Sequence, residues 1–308
     1  MPDKIRFIPD LKDKIINTVS VLTNQQNWGL GFINAQEAWN HSKGEGVKVA
    51  VIDTGWSNHK DLVPNFIEGH DATGGNDFID HNNFHGVHVA GIIAANCGGG
   101  VGVMGVAPAA KLIPIKALSD DGSGSFDYII KALDIARNLD VDVINMSLGT
   151  PVDPGDSKMR NLIQEIAKQG KIVVCASGND GATVNFPAKY DEVIAVAAVE
   201  SSGQLAKFSS RGPELDTAAP GVKIYSTWGN NQYTNLDGTS MACPCISGMI
   251  ALILSWYKLN PDPSFIKDYK NMIKLLYDLG EASIIQTNEY NIGVPKFANF
   301  NPWKPVNA

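Results

Sequence analysis

A chain of 308 residues, 44% of them hydrophobic, is long enough to bury a full core as one large α/β domain or two ordinary ones. Its formal net charge of -7, sequence pI near 5.3 and lack of any Lys/Arg block argue against a nucleic acid or an anionic membrane as partner, while an acidic surface is compatible with a divalent cation. Cys97, Cys175, Cys243 and Cys245 lack the spacing of a disulfide scaffold, so free thiols in a reducing cytoplasm are the simplest account.

Residues 1–27 mix charges with an apolar patch, Phe7-Ile8-Pro9, and place Ile15, Ile16, Val19 and Leu22 at helix-like spacing. They read as an extension ahead of one domain, 28–308. No continuous apolar signal core is present at the start, and the best later run, Ile246 to Tyr257, is too short to span a bilayer. A soluble, cytoplasmic protein without a membrane partner is expected.

Ile33 to His41 reads as a short helix ended by Gly44-Glu45-Gly46. Apolar strands and helices then alternate: strand 47–52, helix 88–95, strand 112–115, helix 127–137, strand 141–146, helix 157–168, strand 172–176 and strand 193–199. That order predicts an α/β fold, a mostly parallel central sheet with helices on both faces. Past Tyr257 the pattern thins to a helix over 265–279 and a closing strand at 291–295.

Active groups in such a sheet belong at the carboxyl ends of strands. Three polar turns stand there: Asp53-Thr54-Gly55, Ser147-Leu148-Gly149 and Ser177-Gly178-Asn179. Asn235 to Pro244 leads into the long apolar run, which puts Ser240 at a helix start, near unpaired N–H groups and the positive end of the dipole; Pro244 fits a first turn. An N-cap is the ordinary role of such a serine.

A serine hydroxyl needs a base to attack a carbonyl at neutral pH, and a buried carboxylate to orient that base. His85, in Phe84-His85-Gly86-Val87-His88, and Asp53, ending an apolar strand, are the candidates; singly they read as a loop histidine and a strand terminator.

Together, Val51-Ile52-Asp53-Thr54-Gly55, His85-Gly86-Val87-His88-Val89-Ala90-Gly91 and Gly238-Thr239-Ser240-Met241-Ala242-Cys243-Pro244 resemble the three signatures of the subtilisin-like serine proteases, in that family's order. The resemblance covers roughly Gly29 to Asn299. It implies a three-layer subtilisin-like fold and a serine endopeptidase of the intracellular branch, with Ser240 as nucleophile, His85 as base, Asp53 as its orienting carboxylate and Asn179 as oxyanion donor; His88 matches a second histidine that is not the base.

The resemblance also implies an extended peptide substrate sandwiched by Gly122-Ser123-Gly124 and Ser147-Leu148-Gly149, with Asn185 at the floor of the main specificity pocket. It implies structural Ca2+, with Asp61, Asn96, Val101 and Val103 as one ligand set and carbonyls near Ala188, Tyr190 and Val193 as a weaker one. The N-terminal segment is the implied inhibitor, Phe7-Ile8-Pro9-Asp10 matching its motif except at Asp10, and a homodimer is among the implied partners.

Cys243-Pro244-Cys245 and Val87 depart from the pattern, and two thiols beside the nucleophile suggest sensitivity to bulky thiol reagents. Two other classes compete: a binding protein with this fold but no turnover, and an α/β-hydrolase esterase, whose G-x-S-x-G elbow is absent around Ser240.

Overall fold

Along β2 (Lys48–Asp53), Val49 and Val51 enter one apolar cluster and Ala50 and Ile52 another, the two-residue alternation of a strand buried on both faces. The computed structural model describes residues 5–6, 27–155, 157–278, 283–286 and 291–297. The apolar patch at 7–9 and the helix-like spacing over 15–22 lie outside the described residues.

In chain order the elements are β1 (Ile5–Arg6), α1 (Trp28–Phe32), α2 (Ala35–Ala38), β2, β3 (His70–Asp71), α3 (His85–Ala94), β4 (Lys111–Lys116), β5 (Ser123–Gly124) and α4 (Phe126–Asn138). There follow β6 (Val143–Met146), α5 (Lys158–Lys168), β7 (Ile172–Ala176), β8 (Ile194–Val199), β9 (Thr217–Pro220), β10 (Ile224–Trp228), β11 (Gln232–Leu236), α6 (Thr239–Leu259), α7 (Tyr269–Asp278), β12 (Ser283–Gln286) and β13 (Asn291–Val294).

Nine strands form one sheet in the order β12-β13-β9-β8-β7-β6-β2-β4-β3, parallel throughout except for β12 against β13. Side chains of α3 and α6 share one cluster with Val143, Val174 and Val196; those of α4 and α5 share the other with Ile144, Val173 and Ala195. The result is the expected three-layer α/β fold. The chain leaves β2 for β4 on one side and reaches β6 on the other, so β2 is the switch point outside whose carboxyl end a ligand crevice opens. Asp53 sits at that end.

The helix expected at 33–41 is only the four residues of α2; α1 precedes it at 28–32, and Asn34 between them adopts a left-handed conformation. The helix α6 begins at Thr239 and runs 21 residues, longer than its apolar run suggests. By length and composition it is apolar enough to cross a membrane, yet its apolar stretch is wholly buried inside the protein. Pro244 is its sixth residue, inside the helix rather than in the first turn, so the Ser240 carbonyl lacks the usual i+4 N–H donor.

Candidate active site

Asp53 and His85 meet where β2 ends and α3 begins. Asp53 Oδ1 accepts the Thr54 N–H at 2.7 Å and pairs with His85 Nδ1 at 2.8 Å, with the two side chains only 1% and 2% exposed. Asp53 Oδ2 is buried without a hydrogen-bond partner among the described residues. A carboxylate on Nδ1 holds the proton there, leaves Nε2 as the basic nitrogen and favours the imidazolium once it forms.

Gly86 allows this approach. A Cβ there would lie 2.7 Å from the Gly55 carbonyl oxygen and 3.2 Å from the Asp53 Cβ.

A second network fixes the same junction. The Thr54 hydroxyl donates to Asp80 Oδ2 at 2.5 Å and accepts the Gly86 N–H at 2.9 Å. Asp80 also accepts the N–H groups of Asn82, Asn83 and Phe84, closing the turn that leads into His85. Burial raises the Asp80 pKa above the usual carboxylate range. On the other side Lys116 Nζ donates to the Thr54 carbonyl at 2.6 Å and to Asp120 at 2.7 Å. None of these was singled out from sequence; the only signal was the dense polar turn Asp80-His81-Asn82-Asn83 ahead of His85.

Ser240 is the second residue of α6, and the N-cap is Gly238. The serine is therefore not the cap. Its hydroxyl donates to the Ser147 carbonyl at 3.0 Å and is 4% exposed as a residue. The function of a cap falls to Asn179, whose Oδ1 accepts the Thr239 N–H at 2.8 Å across 60 residues of chain. Because a backbone N–H can only donate, that contact assigns the amide: Oδ1 faces α6, and Nδ2 is left as the donor.

Behind the serine lies Asn145, wholly buried at the sheet–helix boundary. Its Nδ2 donates to Ser147 Oγ at 2.9 Å, and its Oδ1 accepts the Ser247 hydroxyl at 2.8 Å and the Cys243 thiol at 3.3 Å. An asparagine inside an otherwise apolar strand was the available signal. Cys243 and Cys245 are 0% and 3% exposed, and burial pushes both thiols upward, Cys245 to about 12. This corrects the expected reagent sensitivity: buried, protonated thiols are poor nucleophiles.

His88 is also buried. Its Nε2 faces the carbonyls of Ile224 and Thr234, each at 3.1 Å, which binds α3 to the β10–β11 hairpin. Burial pushes its pKa down to about 3, so it is neutral and unsuited to serve as base.

Ser147 and Leu148 follow β6 directly and are buried, with Gly149 half-buried. Gly122 takes a positive φ of 77° and turns the chain into Ser123 and Gly124. These two pair antiparallel with β1, Ile5 opposite Gly124 and Arg6 opposite Ser123. Asn185 is 6% exposed, donates its N–H to the Ser177 carbonyl, and leaves Oδ1 buried without a partner among the described residues. A Cβ on Gly178 would come within 2.6 Å of its amide nitrogen. It is thus wedged beside the Ser177-Gly178-Asn179 turn.

The oxygens offered for calcium are differently engaged. Asp61 Oδ2 accepts the Val103 N–H at 2.9 Å and the Tyr233 hydroxyl at 2.8 Å, while Asn96 Oδ1 accepts the Gly98 N–H at 3.0 Å. Lys60 Nζ donates to the Val101 carbonyl at 3.0 Å. Calcium takes six to eight oxygens, and the Lys60 ammonium on the Val101 carbonyl sets a competing charge among the oxygens offered, which does not suit one. Of the weaker set, Ala188 and Val193 are buried, and Tyr190 borders an open pocket of about 540 Å³ lined by two carboxylates, Asp153 and Asp191, and two cations, Arg160 and Lys189. Among the described residues no group of three or more His, Cys, Asp or Glu side chains is placed to hold a metal ion.

A buried carboxylate–imidazole pair at the end of β2, and a serine at a helix start with the Asn179 amide beside it, are the groups that serine-hydrolase chemistry uses. The subtilase family, Peptidase S8, matches residues 44–270, and the chain belongs to it. The chain is 41% identical over 262 residues to a thermostable alkaline protease of Halalkalibacterium halodurans, covering 82% of this chain and 70% of that one. It is 41% identical over 269 residues to the major intracellular serine protease of Bacillus subtilis, 83% of this chain and 82% of that one. Subtilisin DY of Bacillus licheniformis is 45% identical over 221 residues, 70% and 79% of the two chains. The protein is a serine endopeptidase.

Proposed function

We propose that hydrolysis runs through Ser240, His85 and Asp53. Ser240 Oγ releases its bond to the Ser147 carbonyl, passes its proton to His85 Nε2 and attacks the scissile carbonyl carbon, while Asp53 holds the imidazolium through Nδ1. Asn179 Nδ2 and the Ser240 N–H donate to the oxyanion. Collapse of the tetrahedral intermediate expels the amine, which takes the proton from His85, and water then releases the acyl group by the same steps in reverse roles. The observation that carries this reading is the buried 2.8 Å Asp53–His85 contact at the end of β2.

Covalent labelling by an organophosphonate tests it. The parent labels stoichiometrically and Ser240→Ala does not; labelling that persists in the variant removes Ser240 from its role. A binding protein of the same fold would bind the probe reversibly at most.

The substrate backbone is proposed to lie extended against Ser123-Gly124 and Ser147-Leu148-Gly149, with Asn185 limiting the specificity pocket. Residues 1–27 are proposed as an extension to a catalytic domain over 28–308, acting as inhibitor in cis in an intracellular enzyme. What supports inhibition is the antiparallel pairing of Ile5 and Arg6 with the same β5 edge a substrate strand would use. The intracellular reading rests on the name of the Bacillus subtilis relative. Removing residues 1–20 is expected to raise the initial rate of peptide cleavage; equal rates for full-length and shortened chains end the idea.

A further inference from the structure

Subtilases generally bind calcium, yet the loop that the resemblance assigns to it here already holds a cation. We propose that the Lys60 ammonium, passing beside Tyr233, takes the place of calcium in the 96–103 loop, so that folding of this loop needs no metal. The Lys60 backbone is fixed, its N–H donating to Asn231 Oδ1 at 2.8 Å, and the side chain passes 5.8 Å from the Tyr233 ring centroid to reach the Val101 carbonyl.

A calcium ligand oxygen lies about 2.3–2.6 Å from the ion, so an ion on that carbonyl and an ammonium at 3.0 Å are competing positive charges at one acceptor.

One oxygen of the carboxylate beside it is engaged on its own account. Asp61 is 2% exposed, and Oδ2 takes both the Tyr233 hydroxyl and the Val103 N–H. A Cβ on Gly102 would sit 2.4 Å and 2.7 Å from the two Asp61 oxygens, so the loop backbone is packed directly onto the carboxylate. His59 fastens the same corner, its Nδ1 accepting the Asp61 N–H and its ring edge-on to Tyr233 at 5.0 Å. Gly98, Gly99 and Gly100 supply no side-chain oxygen.

Thermal unfolding in a Ser240→Ala background, free of self-digestion, tests this with excess EDTA or millimolar CaCl2. The background Tm is expected to be the same in both, and Lys60→Met to lower Tm by about 2 °C or more. A calcium-dependent rise in the background that Asp61→Asn abolishes places the ion in the loop and overturns the proposal. If a rise survives Asp61→Asn it arises elsewhere, and Lys60→Met decides: an unchanged Tm overturns the lysine's role, a lowered one supports it.

Discussion

At the scale of single residues, Asn179 joins two jobs that one substitution can separate. Its Oδ1 holds the Thr239 N–H at the start of α6, and its Nδ2 is the proposed oxyanion donor. Asn179→Asp keeps an acceptor for Thr239 while removing the donor and setting a negative charge against the oxyanion. Asn179→Ala removes both. Loss of the corresponding donor in subtilisin itself lowers kcat by roughly 10²–10³, and at least that loss is expected in both variants with KM little changed. Only the alanine variant should also lose a cap worth about 1 kcal/mol. Equal Tm losses in the two variants, or a kcat retained by Asp, contradict this division. Asn179 was legible because a small turn ends a buried strand, and the family resemblance implied its role. The capping contact was not legible, since its partner lies 60 residues away and no local pattern pairs them.

At the scale of elements, the sequence placed β2, β4, β7, β8, α4 and α5 to within a residue or two because the strands are apolar runs with clear ends and the two helices repeat apolar residues at helical spacing. It did not show the β10–β11 hairpin or β9. Polar Thr and Ser there are buried by α3 and α6 rather than exposed, as Ser226 and Thr227 show by donating to the His88 and Val87 carbonyls. The same burial governs the thiols. Cys243 lies one turn after Ser240 but inward, on Asn145, Met146 and Val174. Cys97 alone among the four is half-buried, in the loop after α3. Iodoacetamide on the folded protein is therefore expected to modify Cys97 first, leaving Cys175, Cys243 and Cys245 unmodified until denaturant is added. Peptide mapping by mass spectrometry reads this directly, and early modification of Cys243 would contradict the inward placement.

At the scale of the whole molecule, two groups oppose each other in pH, His88, buried on α3, and Asp216, half-buried just ahead of β9. His88, between α3 and the β10–β11 hairpin, is pushed by burial down to about 3, against about 6.5 unfolded. The unfolded chain thus holds one more proton between those values, and His88 costs stability as pH falls through that window. Asp216, whose Oδ2 accepts the Ala195 N–H at 2.8 Å, is raised by burial to about 6, against about 3.9 unfolded. There the folded chain holds the extra proton, so Asp216 favours the fold as pH falls from about 6 to about 3.9. One proton cancels the other across the shared range. Asp216→Asn should therefore add to the parent's pH dependence a loss of about 1.4 kcal/mol per pH unit on acidification between pH 6 and 4. His88→Gln, which keeps a donor for the Ile224 and Thr234 carbonyls, should shift the slope equally in the opposite direction. Urea unfolding of both variants in the Ser240→Ala background, at constant m, measures the two slopes. Identical pH dependence in variants and parent would show that neither group titrates across folding, and a shift of the same sign in both would contradict the opposition.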